Sequence, residues 1–189
     1  IFSRRLPEAS LIVLEAEVHD LRGDWAQAVQ GYQRALNVYT REGDRESRAT
    51  TLEKLSLCYV KYGETKMLVK TCEEGLRTCG EEDVALRSML SSWLGSSLVY
   101  SGQDWQKGYT LVKEGEALAQ RSGDPRAISW ACLTYGFAYH FPQGNFQEAH
   151  KTLNHGIDFF SKAGWSLVVY QLSMNKTVLY TVEGKLDKA

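Results

Sequence analysis

The chain has 189 residues, 43% hydrophobic and 24% charged, with a formal net charge of −1, so it offers no electrostatic footprint for nucleic acid or an acidic membrane surface. Cys58, Cys72, Cys79 and Cys132 form no CxxC pair and fall on otherwise apolar helical columns; they read as reduced core thiols in preference to a disulfide or metal site, which favours the cytoplasm. No apolar run approaches the roughly 20 residues that span a bilayer and no signal peptide is visible, while Ile1 in place of an initiator Met and a last residue just after a turn give the expectation that both ends are boundaries within a longer protein.

A small residue returns about every forty positions, at Ala35, Gly75, Gly115 and Gly156. Aligned on these, Trp25, Thr65, Trp105, Phe146 and Leu186 share one column, and Tyr32, Cys72, Val112 and Leu153 another. The pattern predicts a unit over 7–43 with helices at 7–22 and 24–42. A second spans 44–80 (helices 45–62 and 65–79), a third 81–123 (83–101 and 104–122) and a fourth 124–164 (125–141 and 145–163). A fifth starts with a helix over 165–183, and a tenth helix begins near Leu186. No strand-like alternation competes, so the expected fold is all-α: one elongated domain over 1–189, an α-α superhelix of antiparallel helix pairs.

Nine glycines, at 23, 43, 63, 80, 102, 123, 144, 164 and 184, stand at turns. Gly75, Gly95, Gly108, Gly115, Gly136 and Gly156 lie inside helices, where each costs about 1 kcal/mol relative to Ala and so implies close approach of helix axes. Gly31 fits neither role. Asp24, Asp44, Asp104 and Asp124 stand where a carboxylate accepts the free amides of a first turn, and Pro125 suits a first helical position. Pro142 is expected to close the first helix of the fourth unit one residue late.

Gly23, Asp24, Trp25 and Ala28, with Tyr32 and Ala35, resemble the second-helix signature of the tetratricopeptide repeat (TPR); Leu94-Gly95, and Tyr135-Gly136 with Tyr139, resemble its first-helix signature, and Leu55-Ser56 with Tyr59 is a looser copy. The period exceeds the usual 34 or so residues, and Gly43-Asp44 and Gly123-Asp124 replace the closing proline. Longer units of this kind resemble those of MalT-like sensor domains in the large LuxR-type bacterial transcription regulators. That resemblance implies a signal-transduction domain that binds an inducer or a protein and passes the event to an ATPase or DNA-binding domain. The alternative is a protein-interaction scaffold with no small-molecule effector.

In TPR arrays the first helices line the groove. Carried over one position at a time, this places Val13, Glu17, Asp20, Glu53, Lys54 and Lys61 at one end, with Ser92, Trp93, Ser96, Tyr100, Trp130, Thr134, Phe137, His140 and Phe141 further on. The candidate ligand- or peptide-binding residues are Trp93, Ser96, Tyr100, Trp130, Thr134, Phe137, His140 and Phe141. Two readings stay open: the aromatic stripe packs unit against unit, or it forms a pocket that grips an apolar peptide or stacks on a sugar such as an oligosaccharide effector. The carboxylate clamp of chaperone-binding TPR domains is missing, because its positions hold Val13, Glu17 and Lys54.

Catalytic chemistry is not expected. His150 and His155 are too far around a helix for a zinc pair and read as solvated, His19 and His140 lack a nucleophile partner, and no phosphate-binding loop or dinucleotide fingerprint occurs. No cofactor or metal is expected. The expected partner is a protein or peptide, or a small effector, with no nucleic acid or membrane. Val178 and Val182 on the last helix are candidates for homodimerisation.

Overall fold

In the computed structural model, which describes residues 7–185 and 187–188, with the side chain of Leu167 excepted, the chain is helical from near its start. The helices are α1 (Glu8–Arg22), α2 (Trp25–Glu42), α3 (Arg45–Tyr62), α4 (Thr65–Thr78), α5 (Val84–Ser101), α6 (Trp105–Ser122), α7 (Pro125–Thr134), α8 (Phe146–Lys162) and α9 (Ser166–Val182). The tenth helix expected near Leu186 involves Leu186 and Ala189, which lie outside the described residues.

Local chemistry accounts for most of these boundaries. Asp44, Asp104 and Asp124 accept the amides of Ser47, Lys107 and both Arg126 and Ala127 at 2.8–3.0 Å. The amide of Ser47 holds the Asp44 carboxyl below its usual range. Asp24 makes no such bond and instead stands 3.6 Å from Nδ1 of His19. Gly80 also departs from expectation: α4 ends at Cys79 in extended backbone, and the Gly80 N–H donates to Asp83 across the turn.

The fourth unit holds a further departure. After Thr134 the helix continues as a π-helical segment, Tyr135–His140, and a 3-10 turn, Phe141–Gln143. The N–H of Phe141 reaches the carbonyl of Gly136, five residues back. One residue more separates Gly136 from Gly144 than separates Gly95 from Gly102, and the wide π turn absorbs it. The extra residue is thus taken up before Pro142, not by a late stop at the proline.

The core centres on α5, which is buried along both flanks from Ser88 to Leu98 except at Ser96. A Cβ on Gly95 would stand 2.7 Å from the carbonyl oxygen of Gly108, and one on Gly115 only 3.0 Å from that of Ser88. The backbones of α5 and α6 therefore touch. Gly31, unexplained in sequence, has the same origin: its Cβ would meet that of Ala16 in α1 at 2.7 Å. Gly136 is different, since its nearest neighbour would be a Leu153 methyl at 3.4 Å. All four cysteines are buried, and desolvation pushes the Cys72 thiol up to about 12. Helices α3, α5, α7 and α9 touch in succession, whereas adjacent even-numbered helices meet at most marginally. The array therefore closes on the side of its first helices.

Gly95→Ala should destabilise the protein by about 1–3 kcal/mol, overpacking outweighing the gain in helix propensity. Gly136→Ala should be neutral or stabilising by up to about 1 kcal/mol. Urea unfolding of the two variants checks the contrast.

Candidate functional site

Six of the eight candidate residues meet around one cavity. Trp93, Ser96 and Tyr100 of α5, Trp130 and Thr134 of α7, and Phe137 of the π-helical segment wall a space of about 420 Å³, completed by residues that include Tyr59 of α3 and Asn175 of α9. Asn175 carried a sequence signal: it stands as far before Gly184 as Trp93 stands before Gly102. No lining side chain has a formal charge. The aromatic stripe thus packs unit against unit and also walls a cavity. Trp93 is only 2% exposed and meets Trp130 edge-on at 5.4 Å, forming core and wall at once. Tyr100 is 60% exposed, yet the concave surroundings desolvate its phenol and push it up to about 12.

Three hydroxyls and one amide of the wall turn their protons towards backbone. Ser96 donates to the carbonyl of Ser92, Ser97 to that of Trp93 and Thr134 to that of Trp130, at 2.7–2.8 Å. The side-chain amide of Asn175 donates to the Gln171 carbonyl. With these protons committed to backbone, the oxygens of Ser96, Ser97, Thr134 and Asn175 remain as acceptors, while the buried indole N–H of Trp93 is a donor without a partner among the described residues. The cavity suits a ligand that brings N–H or O–H donors.

Two candidates fall elsewhere. The π turn carries His140 away from this cavity to a separate cleft with Tyr135, Glu148 and His155. There its ring lies edge-on to Tyr135 at 4.6 Å, and burial pushes its pKa down. Phe141 packs on Phe137 and Phe146 and does not line the cavity. Ser92 likewise faces Gly115 of α6. The charged end of the groove is internally paired, Lys54 with Glu17 and Lys61 with Asp20. His150, read as solvated, is 14% exposed in its side chain and bonds Glu183 at 2.5 Å, joining α8 to the end of α9. Lys185 and His150 together hold the Glu183 carboxyl below its usual range.

A second niche of about 140 Å³ shares Trp130 and Leu133 with the main cavity. Its wall includes Leu57, Met89 and Trp165, together with Glu53, a carboxylate only 4% exposed. Among the described residues nothing hydrogen-bonds or ion-pairs with Glu53. Arg126 also reaches the niche, but its side chain is 59% exposed and its Nε lies 3.9 Å from Asp124. Desolvation raises the Glu53 pKa, with Arg126 and Lys54 opposing. The repeat pattern placed Glu53 on the groove, but its burial depends on helices from three later units and has no local signature.

The fold therefore favours protonated Glu53. This imposes no cost below the unfolded-state pKa near 4.5, and stability is lost as pH rises through the folded value. Glu53→Gln should then be more stable than the parent protein at pH 7, with the gap closing towards pH 4. Urea midpoints at the two pH values measure it.

No family model matches the chain, and neither does any curated protein. Solved structures do. BtubC (BKLC) from P. vanneervenii superposes with a TM-score of 0.66 at 20% identity, over 86% of this chain and 68% of that one. A kinesin light chain-like protein of P. anserina, with nearly identical TPR-like repeats, gives 0.64 at 15% identity over 97% and 92%. MamA gives 0.53 at 17% identity over 95% and 85%. At these identities the likeness concerns the fold: the chain is an all-α superhelix of TPR-like repeats.

Proposed function

We propose that this chain is a non-catalytic binding array that holds an apolar, uncharged stretch of a protein or peptide partner in the cavity walled by Trp93, Ser96, Tyr100, Trp130, Thr134 and Phe137. The supporting observation is that cavity itself: about 420 Å³, without a formal charge, rich in rings and lined by acceptors. Rings bury apolar side chains, and the acceptors meet peptide N–H groups that would otherwise lose their hydrogen bonds on leaving water. TPR-like folds serve protein interaction in general, which agrees with this reading.

Membership in a bacterial transcription regulator, with an effector in the same cavity and a cytoplasmic setting, is the more specific form of the proposal. It rests on the resemblance of the long repeat units. A sugar would use the same surfaces, stacking on the rings and donating its hydroxyl protons to the wall. No helix among the described residues is long and apolar enough to cross a membrane.

Tyr100→Ala should weaken binding of an uncharged apolar peptide about tenfold, equivalent to ~1.4 kcal/mol, while changing stability by less than about 0.5 kcal/mol because the ring is exposed. Trp93→Ala should cost about 3–5 kcal/mol of stability. Tryptophan fluorescence titration against a peptide panel, with an oligosaccharide panel in parallel, reads the affinity. Equal binding by the Tyr100→Ala variant would place the ligand elsewhere.

A further inference from the structure

We infer that the niche beneath Trp130 and Trp165 is a receptor for a primary ammonium group, with the Glu53 carboxylate as its counter-ion. This deepens the proposed function: the partner that fills the main cavity would present a lysine side chain next to its apolar stretch.

The argument starts from the cost of the carboxylate. Removing an ionised carboxylate from water without a partner is among the most expensive arrangements in a protein interior. Glu53 is 4% exposed, and it has no hydrogen-bond or ion-pair partner among the described residues. Arg126, a cation that shares the niche lining, lies largely exposed beside Asp124. Because the fold favours the protonated carboxyl, an incoming ammonium must first displace that proton to solvent; once ionised, a carboxylate with so little water around it gains more from a cation than an exposed one does.

The surroundings select the kind of cation. The niche holds about 140 Å³, close to the roughly 150 Å³ apolar cavity that accommodates a benzene-sized guest. Leu57, Met89 and Leu133 suit a methylene stem, and the indoles of Trp130 and Trp165 attract a positive head. A hydrated metal ion finds no second carboxylate here, since no metal-binding cluster occurs among the described residues. The shared Trp130 and Leu133 put the ammonium site next to the acceptor-lined main cavity, so one donor-rich segment can occupy both.

The test follows the five indole N–H resonances by two-dimensional NMR. n-Butylammonium, the lysine side chain alone, is titrated against n-butanol. Capped Ala-Phe-Leu-Ala-Lys is compared with capped Ala-Phe-Leu-Ala-Gln. The expected result is saturable movement of two indoles with n-butylammonium and not with n-butanol, lost in Glu53→Gln. The lysine peptide should bind about tenfold more tightly than the glutamine peptide, a preference also lost in Glu53→Gln. Arg126→Gln, which removes the competing cation, should strengthen n-butylammonium binding.

Equal response to n-butanol, titrations unchanged in Glu53→Gln, or no gain in Arg126→Gln would overturn the inference. Peptides that bind alike whatever their last residue would overturn it while leaving the proposed function standing. Glu53-dependent n-butylammonium binding with neither peptide bound would sustain the ammonium site and remove the peptide reading. Because Glu53→Gln is expected to be the more stable protein, loss of binding in it cannot be ascribed to unfolding.

Discussion

The backbones of α5 and α6 lie in contact where Gly95 meets Gly108 and Gly115 meets Ser88, and the rest of the architecture follows from that approach. With α6 this close, and with α3, α4 and α7 on its other flanks, α5 is left open between Ser88 and Leu98 only where Ser96 faces the cavity. Small residues then suit Ser88, Ser91, Ser92 and Ser97, and two of them return their hydroxyl protons to backbone carbonyls, Ser88 to Gly115 and Ser97 to Trp93. The same burial turns Trp93 inward until it is shared between core and cavity. The site is therefore a consequence of how the array packs, with little freedom to vary independently of it.

Charge is distributed to match. At the first two units acidic and basic side chains satisfy one another across α1 and α3, and Arg48 pairs with Glu74 between α3 and α4. These pairs are partly exposed and contribute modestly. Beyond them the main cavity carries no formal charge and gains rings. Glu53 and Arg126 share the niche where the paired surface gives way to the aromatic one.

Much of this was legible in residue types with local consequences. The first nine helices and the caps at Asp44, Asp104 and Asp124 follow from periodicity and capping chemistry, and the six candidate residues that line the cavity were placed by the tetratricopeptide resemblance. What escaped depends on contacts between units. Asp24 has the right residue at the right place, yet it faces His19 and caps nothing. Gly31 has no helical purpose until Ala16 lies against it. His150 looks solvated on its own helix and is covered by Tyr180 and Glu183 of a later segment. His140 failed for a subtler reason, because position counting assumes a constant number of residues per turn.

That assumption fails at Tyr135–His140 alone among the described first helices. The π turn stores the surplus residue as girth and adds almost nothing to axial length, so α8 still enters on the phase that lets Leu153 and Gly156 occupy the same columns as Val112 and Gly115. A solenoid built this way counts turns, not residues. Single-residue insertions that would shear a β-sheet out of register can pass through it silently, leaving only a rotated side chain at the point where the surplus was taken in.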